Sequence, residues 1–197
     1  IVIGLLRAIE MKIYNVKSDS VVIEGEYPFH EELKEELLPL LENYPDQQDR
    51  STNVQATMTE WKWQEDNRRV KRLKKYICAE TCCPKTCNDI YNRYKESDNS
   101  GFPFEFECEE FWANIYNKRD YTHPHVHTGY KFGFGFVYFL KTKWYHPPFI
   151  FTDSRKKFRP KEGTYLIFPN YLRHHVPTNR FKETRITLSG NVIIKKL

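Results

Sequence analysis

The chain of 197 residues has no apolar run of the ~18 residues needed to cross a bilayer, so a membrane-spanning protein is excluded. Residues 1–9 are apolar, but the run is short and Arg7 interrupts it. No basic stretch precedes it and no small-residue cleavage site follows, which argues against a secretory signal. Met11 is a candidate natural start, with residues 1–10 as an upstream extension. Internal repeats and low-complexity segments are lacking, and collagen, coiled-coil and disulfide-miniprotein patterns are excluded. No Asn-x-Ser/Thr site occurs, and the five cysteines are an odd number. Both facts favour a reducing, cytoplasmic setting.

Charge of one sign is also scarce. Thirty-one Lys and Arg against 26 Asp and Glu leave a net charge of +5, short of the footprint of a dedicated nucleic-acid binder. The strongest basic run, residues 68–75, carries Val70 and Leu73, with Ile77 just beyond, at helical spacing. It reads as the solvated face of an amphipathic helix, with a patch for phosphate or an acidic partner as the alternative. Cys78, Cys82, Cys83 and Cys87 cluster, but without the CxxC spacing of structural zinc sites, and Pro84 interrupts them. Inert half-buried thiols are the favoured reading, beside structural zinc or a redox pair.

What is abundant is aromatic: 16% of the chain, including 13 Tyr and 14 Phe. Aromatic and β-branched residues suit a pleated, half-buried surface. Residues 12–16 and 21–25 read as strands about a turn at Ser18-Asp19-Ser20. Residues 29–43 read as a helix on the spacing of Phe29, Leu33, Leu37 and Leu40/Leu41, and the alternation over 53–59 predicts a strand. Residues 67–79 and 84–95 read as further helices. Beyond Gly101, short aromatic and β-branched runs recur between turn residues, at 111–117, 132–140, 149–152, 164–168, 175–177 and 184–194. The expected fold is α+β and mainly β: a sandwich or small-barrel core over 104–197, with residues 1–103 supplying strands and helices that pack on one face of the same domain.

Only seven histidines exist. Three lie in His123-Pro124-His125-Val126-His127 and two in His174-His175. Residues i and i+2 of a strand point the same way, so His125 and His127 can aim at one point. Imidazole is the commonest ligand for transition metals, and three nitrogens on one face of an ion leave its other face open for chemistry. His174 or His175 would complete such a face. Ordinary hydrogen-bonded histidines beside Tyr121 and Tyr130 are the alternative. In Thr184-Arg185-Ile186-Thr187-Leu188-Ser189 the alternation sets Arg185, Thr187 and Ser189 on one face. If that face is inward, guanidinium and hydroxyl form a carboxylate clamp; otherwise Arg185 is a surface residue on an edge strand.

The motifs occur in order: Trp112-Ala113-Asn114-Ile115-Tyr116, Asp120-Tyr121, His125-x-His127, Val137-Tyr138-Phe139-Leu140, Phe151-Thr152-Asp153, Gly163-Thr164-Tyr165-Leu166-Ile167-Phe168-Pro169, Leu172-Arg173-His174-His175-Val176-Pro177, and Arg185 through Asn191. Over roughly residues 104–191 the chain resembles the 2-oxoglutarate/Fe(II)-dependent dioxygenase superfamily, in its prolyl-hydroxylase-like branch of bacterial and phage oxygenases. No matching motif precedes residue 104. The resemblance implies a double-stranded β-helix, with Fe(II), 2-oxoglutarate and O2 as cofactor and cosubstrates. His125 matches the family's first histidine and His174 its distal one; His127 stands where a carboxylate is usual. Arg185, helped by Thr187 and Tyr116, would hold the far carboxylate of 2-oxoglutarate, with Asn114 and Tyr138 lining the pocket.

His127 either ligates the metal or stays outside its shell; Asp120 and Asp153 lack the spacing to substitute. The implied reaction hydroxylates a peptidyl proline, another peptide or a small molecule, converting 2-oxoglutarate to succinate, in an intracellular setting, with a virus-encoded origin as an alternative implied by such phage relatives. The rival readings are a cupin-like metalloenzyme without 2-oxoglutarate and a non-catalytic module that keeps the fold. Membrane and nucleic-acid partners are not expected, and no feature of the sequence fixes an oligomeric state.

Overall fold

A computed structural model of the protein describes residues 11–17, 20–45, 52–82, 104–127 and 133–196. The elements in chain order are β1 (Lys12–Lys17), β2 (Ser20–Glu26), α1 (His30–Glu42), β3 (Val54–Gln55), β4 (Thr57–Met58) and α2 (Arg68–Thr81). There follow β5 (Phe104–Tyr116), β6 (Tyr121–His125), β7 (Gly133–Lys141), β8 (Phe149–Phe151), β9 (Lys156–Phe158), β10 (Thr164–Pro169), β11 (His174–Val176) and β12 (Arg185–Lys196). The expected helix over 84–95, the upstream residues 1–10, Ser18 and Asp19 of the first turn, Cys83, Cys87 and Tyr130 lie outside the described residues.

The strands form two antiparallel sheets. One has seven strands in the order β1-β2-β10-β7-β12-β5-β4; the other has five, in the order β3-β6-β11-β8-β9. The central strands of the larger sheet are buried on both faces, and period-2 alternation divides their side chains between two cores. Phe136, Tyr138 and Leu140 of β7, Tyr165 and Ile167 of β10, and Ile186 and Leu188 of β12 face the helices. Val137, Phe139, Leu166 and Phe168 face the other way, toward Phe149 and Phe151 of the smaller sheet.

The helices cover the outer face of the larger sheet. Leu33, Leu37 and Leu41 of α1 and Val70, Leu73 and Ile77 of α2 recur at three or four residues and enter the same core. The Asn67 side chain caps α2 by accepting from the Arg69 and Val70 amides. The basic run lies on α2, where Arg69 and Arg72 meet Glu36 and Glu32 of α1. Cys78 is half-buried and Cys108 buried; burial pushes the Cys78 thiol up to about 11, away from the reactive thiolate. No helix among the described residues is long and apolar enough to cross a membrane.

The strand expected over 53–59 is divided. Its first half, β3, pairs with β6 in the smaller sheet, and its second half, β4, pairs with β5 in the larger one. Alternation continues through Ala56, but the chain passes from one sheet to the other there.

Candidate metal centre

The histidines converge because two neighbouring strands carry them. β6 and β11 pair antiparallel with His125 and His174 as register partners, and their rings lie 4.4 Å apart. His127 follows β6 by two residues, and its backbone amide donates to the Asn170 carbonyl at 2.9 Å. Its ring stacks on His125 at 5.5 Å and lies 5.1 Å from His174. One ligand nitrogen from each of the three lies within 4.8 Å of the others.

Their hydrogen bonds fix which nitrogen is free. Nδ1 of His125 donates to the His123 carbonyl and Nδ1 of His174 to the Leu172 carbonyl, each at 2.8 Å. Nδ1 of His127 donates to Oδ1 of Asn191. Each ring therefore keeps its Nε2 lone pair, the arrangement by which proteins hold metal-ligating histidines. Burial is the main cause that lowers all three pKa values: His127 to about 4, His174 well below its ordinary value, and His125 in the same direction. The neutral imidazole that results is the ligating form. These donors fit a borderline transition metal such as Fe(II).

Among the described residues no carboxylate joins the three. Asp120 is turned away, accepting the Asn117 amide at 2.7 Å, and Asp153 is exposed. His175 lines the same cavity but engages Thr152, and His123 sits against Tyr121.

The opposite wall comes from the β5–β12 ladder. Its register pairs Arg185 with Tyr116, Thr187 with Asn114, Ser189 with Trp112 and Asn191 with Glu110. Asn114, Tyr116, Arg185 and Thr187 line one cavity with the three histidines. Arg185 is 1% exposed, and its Nη1 donates to the Pro147 carbonyl at 2.7 Å. Its Nε and Nη2 are buried and have no hydrogen-bond partner among the described residues. Burial lowers Arg185 to about 10, so it remains a cation at neutral pH. A buried cation with unused donors is costly unless an anion completes it, and the guanidinium fork matches a carboxylate. Asn114 is held by Trp112 and Ser189, and the Tyr116 hydroxyl bonds Thr122 at 2.8 Å.

Tyr138 is not in this wall. Its parity on β7 is opposite to that of Val137 and Phe139, so it points to the helices and bonds His30 there. The sequence reading also missed Phe149, Phe168, Glu110, Asn191 and Gly135. Phe149 stacks on His174 at 5.0 Å, and Phe168 lies 4.6 Å from it. Asn191 extends the Arg185-Thr187-Ser189 alternation by one more step, a signal available in the sequence. A groove of about 510 Å³ opens on the far side of His125 and His127, lined by Val54, Met58, Trp61, Glu110 and Trp112.

The model of a family described as "Putative 2OG-Fe(II) oxygenase" matches residues 151–191, which include His174 and Arg185. Among solved structures, the viral collagen prolyl hydroxylase of Paramecium bursaria Chlorella virus-1, in its 2-oxoglutarate complex, aligns with a TM-score of 0.52 at 12% identity, over 96% of this chain and 98% of that one. A prolyl-4-hydroxylase from Pseudomonas putida aligns with a TM-score of 0.59 at 13% identity, over 87% and 91%. At such identities the likeness is one of fold. No curated protein matches the chain. The resemblance read from the motifs thus stands, with the oxygenase family model matched at residues 151–191 and a fold similar to those two solved structures.

Proposed function

We propose that this chain is a 2-oxoglutarate/Fe(II) oxygenase that hydroxylates a peptide, prolyl or other, or a small molecule, with conversion of 2-oxoglutarate to succinate, a reading supported by its C-terminal match and its fold. The observation that carries the reading is a buried guanidinium with two unused nitrogens, facing three histidines whose Nε2 lone pairs are free. His125, His127 and His174 hold the iron, so His127 serves as a ligand in place of the usual carboxylate. Bound iron, with 2-oxoglutarate and O2, supplies the oxidising power. Arg185 grips the far carboxylate of 2-oxoglutarate through Nε and Nη2, with the Thr187 hydroxyl beside it and Asn114 and Tyr116 shaping the wall. Phe149 and Phe168 exclude water around His174. The groove beside His125 and His127 takes the substrate, and Trp61 and Trp112 offer it an aromatic surface. The two sheets act as the walls of a double-stranded β-helix, in one domain with the helices that back it. The odd cysteine count suits a cytoplasmic setting.

The test is anaerobic titration with Fe(II) and 2-oxoglutarate. A visible metal-to-ligand charge-transfer band is expected, lost in His174→Ala and weakened in Arg185→Ala. No band, together with no 2-oxoglutarate-dependent rise in Tm, overturns the reading. The all-histidine ligand set favours one rival, a cupin-like metalloenzyme without 2-oxoglutarate. That rival predicts metal binding and activity that survive Arg185→Ala.

A further inference from the structure

We propose that Glu110 and Asn191 are positioning residues that hold His127 in its ligating tautomer. This rests on the metal centre proposed above and deepens it. His125 and His174 donate Nδ1 to backbone carbonyls, which cannot turn round. His127 stands beyond the end of β6 and relies on a side-chain amide instead. An amide can face a ring with either its oxygen or its nitrogen. With the nitrogen inward, Nδ1 of His127 would accept, the proton would move to Nε2, and the ring would have no lone pair for a metal.

Glu110 removes that choice. Nδ2 of Asn191 donates to Oε2 of Glu110. An ionised carboxylate only accepts, so it takes the nitrogen end of the amide and turns Oδ1 toward His127. The two residues are register partners on β12 and β5, and the ladder shifts register immediately beyond them, between Asn191 and Val192. Such bulges re-aim side chains. The ring is confined at its Cε1 and Nδ1 edge as well. A Cβ on Gly135 would lie 2.9 Å from Cε1 of His127 and 2.8 Å from Phe168, so only glycine leaves the ring its place. Chain topology thus supplies for His127, through a carboxylate and an amide, what backbone carbonyls supply for the other two.

The decisive measurement needs no variant. In apo protein labelled with 15N-histidine at neutral pH, His127 should show a protonated Nδ1 and an unprotonated Nε2. The reverse tautomer overturns the proposal. In Glu110→Leu the amide is released, so His127 should become a mixture of tautomers while His125 is unchanged. Glu110→Leu and Asn191→Leu should each weaken Co(II) binding, followed by its visible ligand-field bands, by about 10–100-fold. If Glu110→Leu keeps both the tautomer and the affinity, the relay is wrong. If wild-type protein binds no Co(II), or binding survives His174→Ala, the failure lies in the metal centre itself.

Discussion

Arg185 is enclosed by Tyr116 and Phe139, each ring centroid 5.4 Å from the guanidinium carbon, and among the described residues only its Nη1 has a hydrogen-bond partner. Folding removes this cation from water without completing its hydrogen bonds, an arrangement that favours ligand over stability. Arg185→Met should therefore leave the apo protein as stable or more stable, by on the order of 1 kcal/mol. The same variant should lose the 2-oxoglutarate-dependent shift in Tm yet still bind Co(II). Gly135→Ala should do the opposite: the new methyl group meets His127 and Phe168, destabilising the fold by roughly 1–3 kcal/mol. Its Co(II) affinity, read by equilibrium dialysis, should fall at least about tenfold. At this scale the sequence was informative wherever alternation decides. The i, i+2 spacing set His125 with His127 and Arg185 with Thr187 on common faces, and left open which face was inward. Tyr138 came from the resemblance, and its parity on β7 contradicts it. Glu110 and Asn191 lie 81 residues apart and meet only through a strand register that no local pattern reveals.

Elements with a single strong period were the most legible. Leu33, Leu37 and Leu41 marked α1, and Val70, Leu73 and Ile77 marked α2, with boundaries displaced by one or two residues. The α2 cap has a measurable consequence. The Asn67 oxygen accepts from the Arg69 amide at 2.9 Å and from the Val70 amide at 3.2 Å, while its nitrogen donates to Glu36 of α1. Asn67→Ala should cost about 1–2 kcal/mol, seen as a lower urea midpoint with an unchanged slope. The stretch over 53–59 was read as one strand because alternation reports which way side chains point and nothing about which sheet they join. The division at Ala56 follows from pairing to β6 on one side and β5 on the other.

For the molecule as a whole, composition and element order indicated helices backing a β core, but the strand order within the sheets arises from distant pairing. Burial also sets the response to acid. His30, His125, His127 and His174 all have folded pKa values below their ordinary 6.5, with burial the largest cause. Above pH 6.5 these groups are neutral in both folded and unfolded chains. As pH falls below 6.5 the unfolded chain takes up protons that the folded one refuses, so stability declines until the folded values are reached. The Tm of the apo protein should drop from pH 7 to pH 5, and a flat profile would contradict the burial account. Co(II) should raise Tm at pH 7 by a larger margin than at pH 5, because protons compete for the same lone pairs.

The crossing at Ala56 has one more effect. Val54 is laddered to Thr122 on one wall, and Met58 to Asn114 on the other. The entrance beside His125 is laced along this edge, and prising the walls apart there would tear both seams. The walls beside the imidazoles are therefore held at a fixed spacing by backbone hydrogen bonds on both sides of one residue.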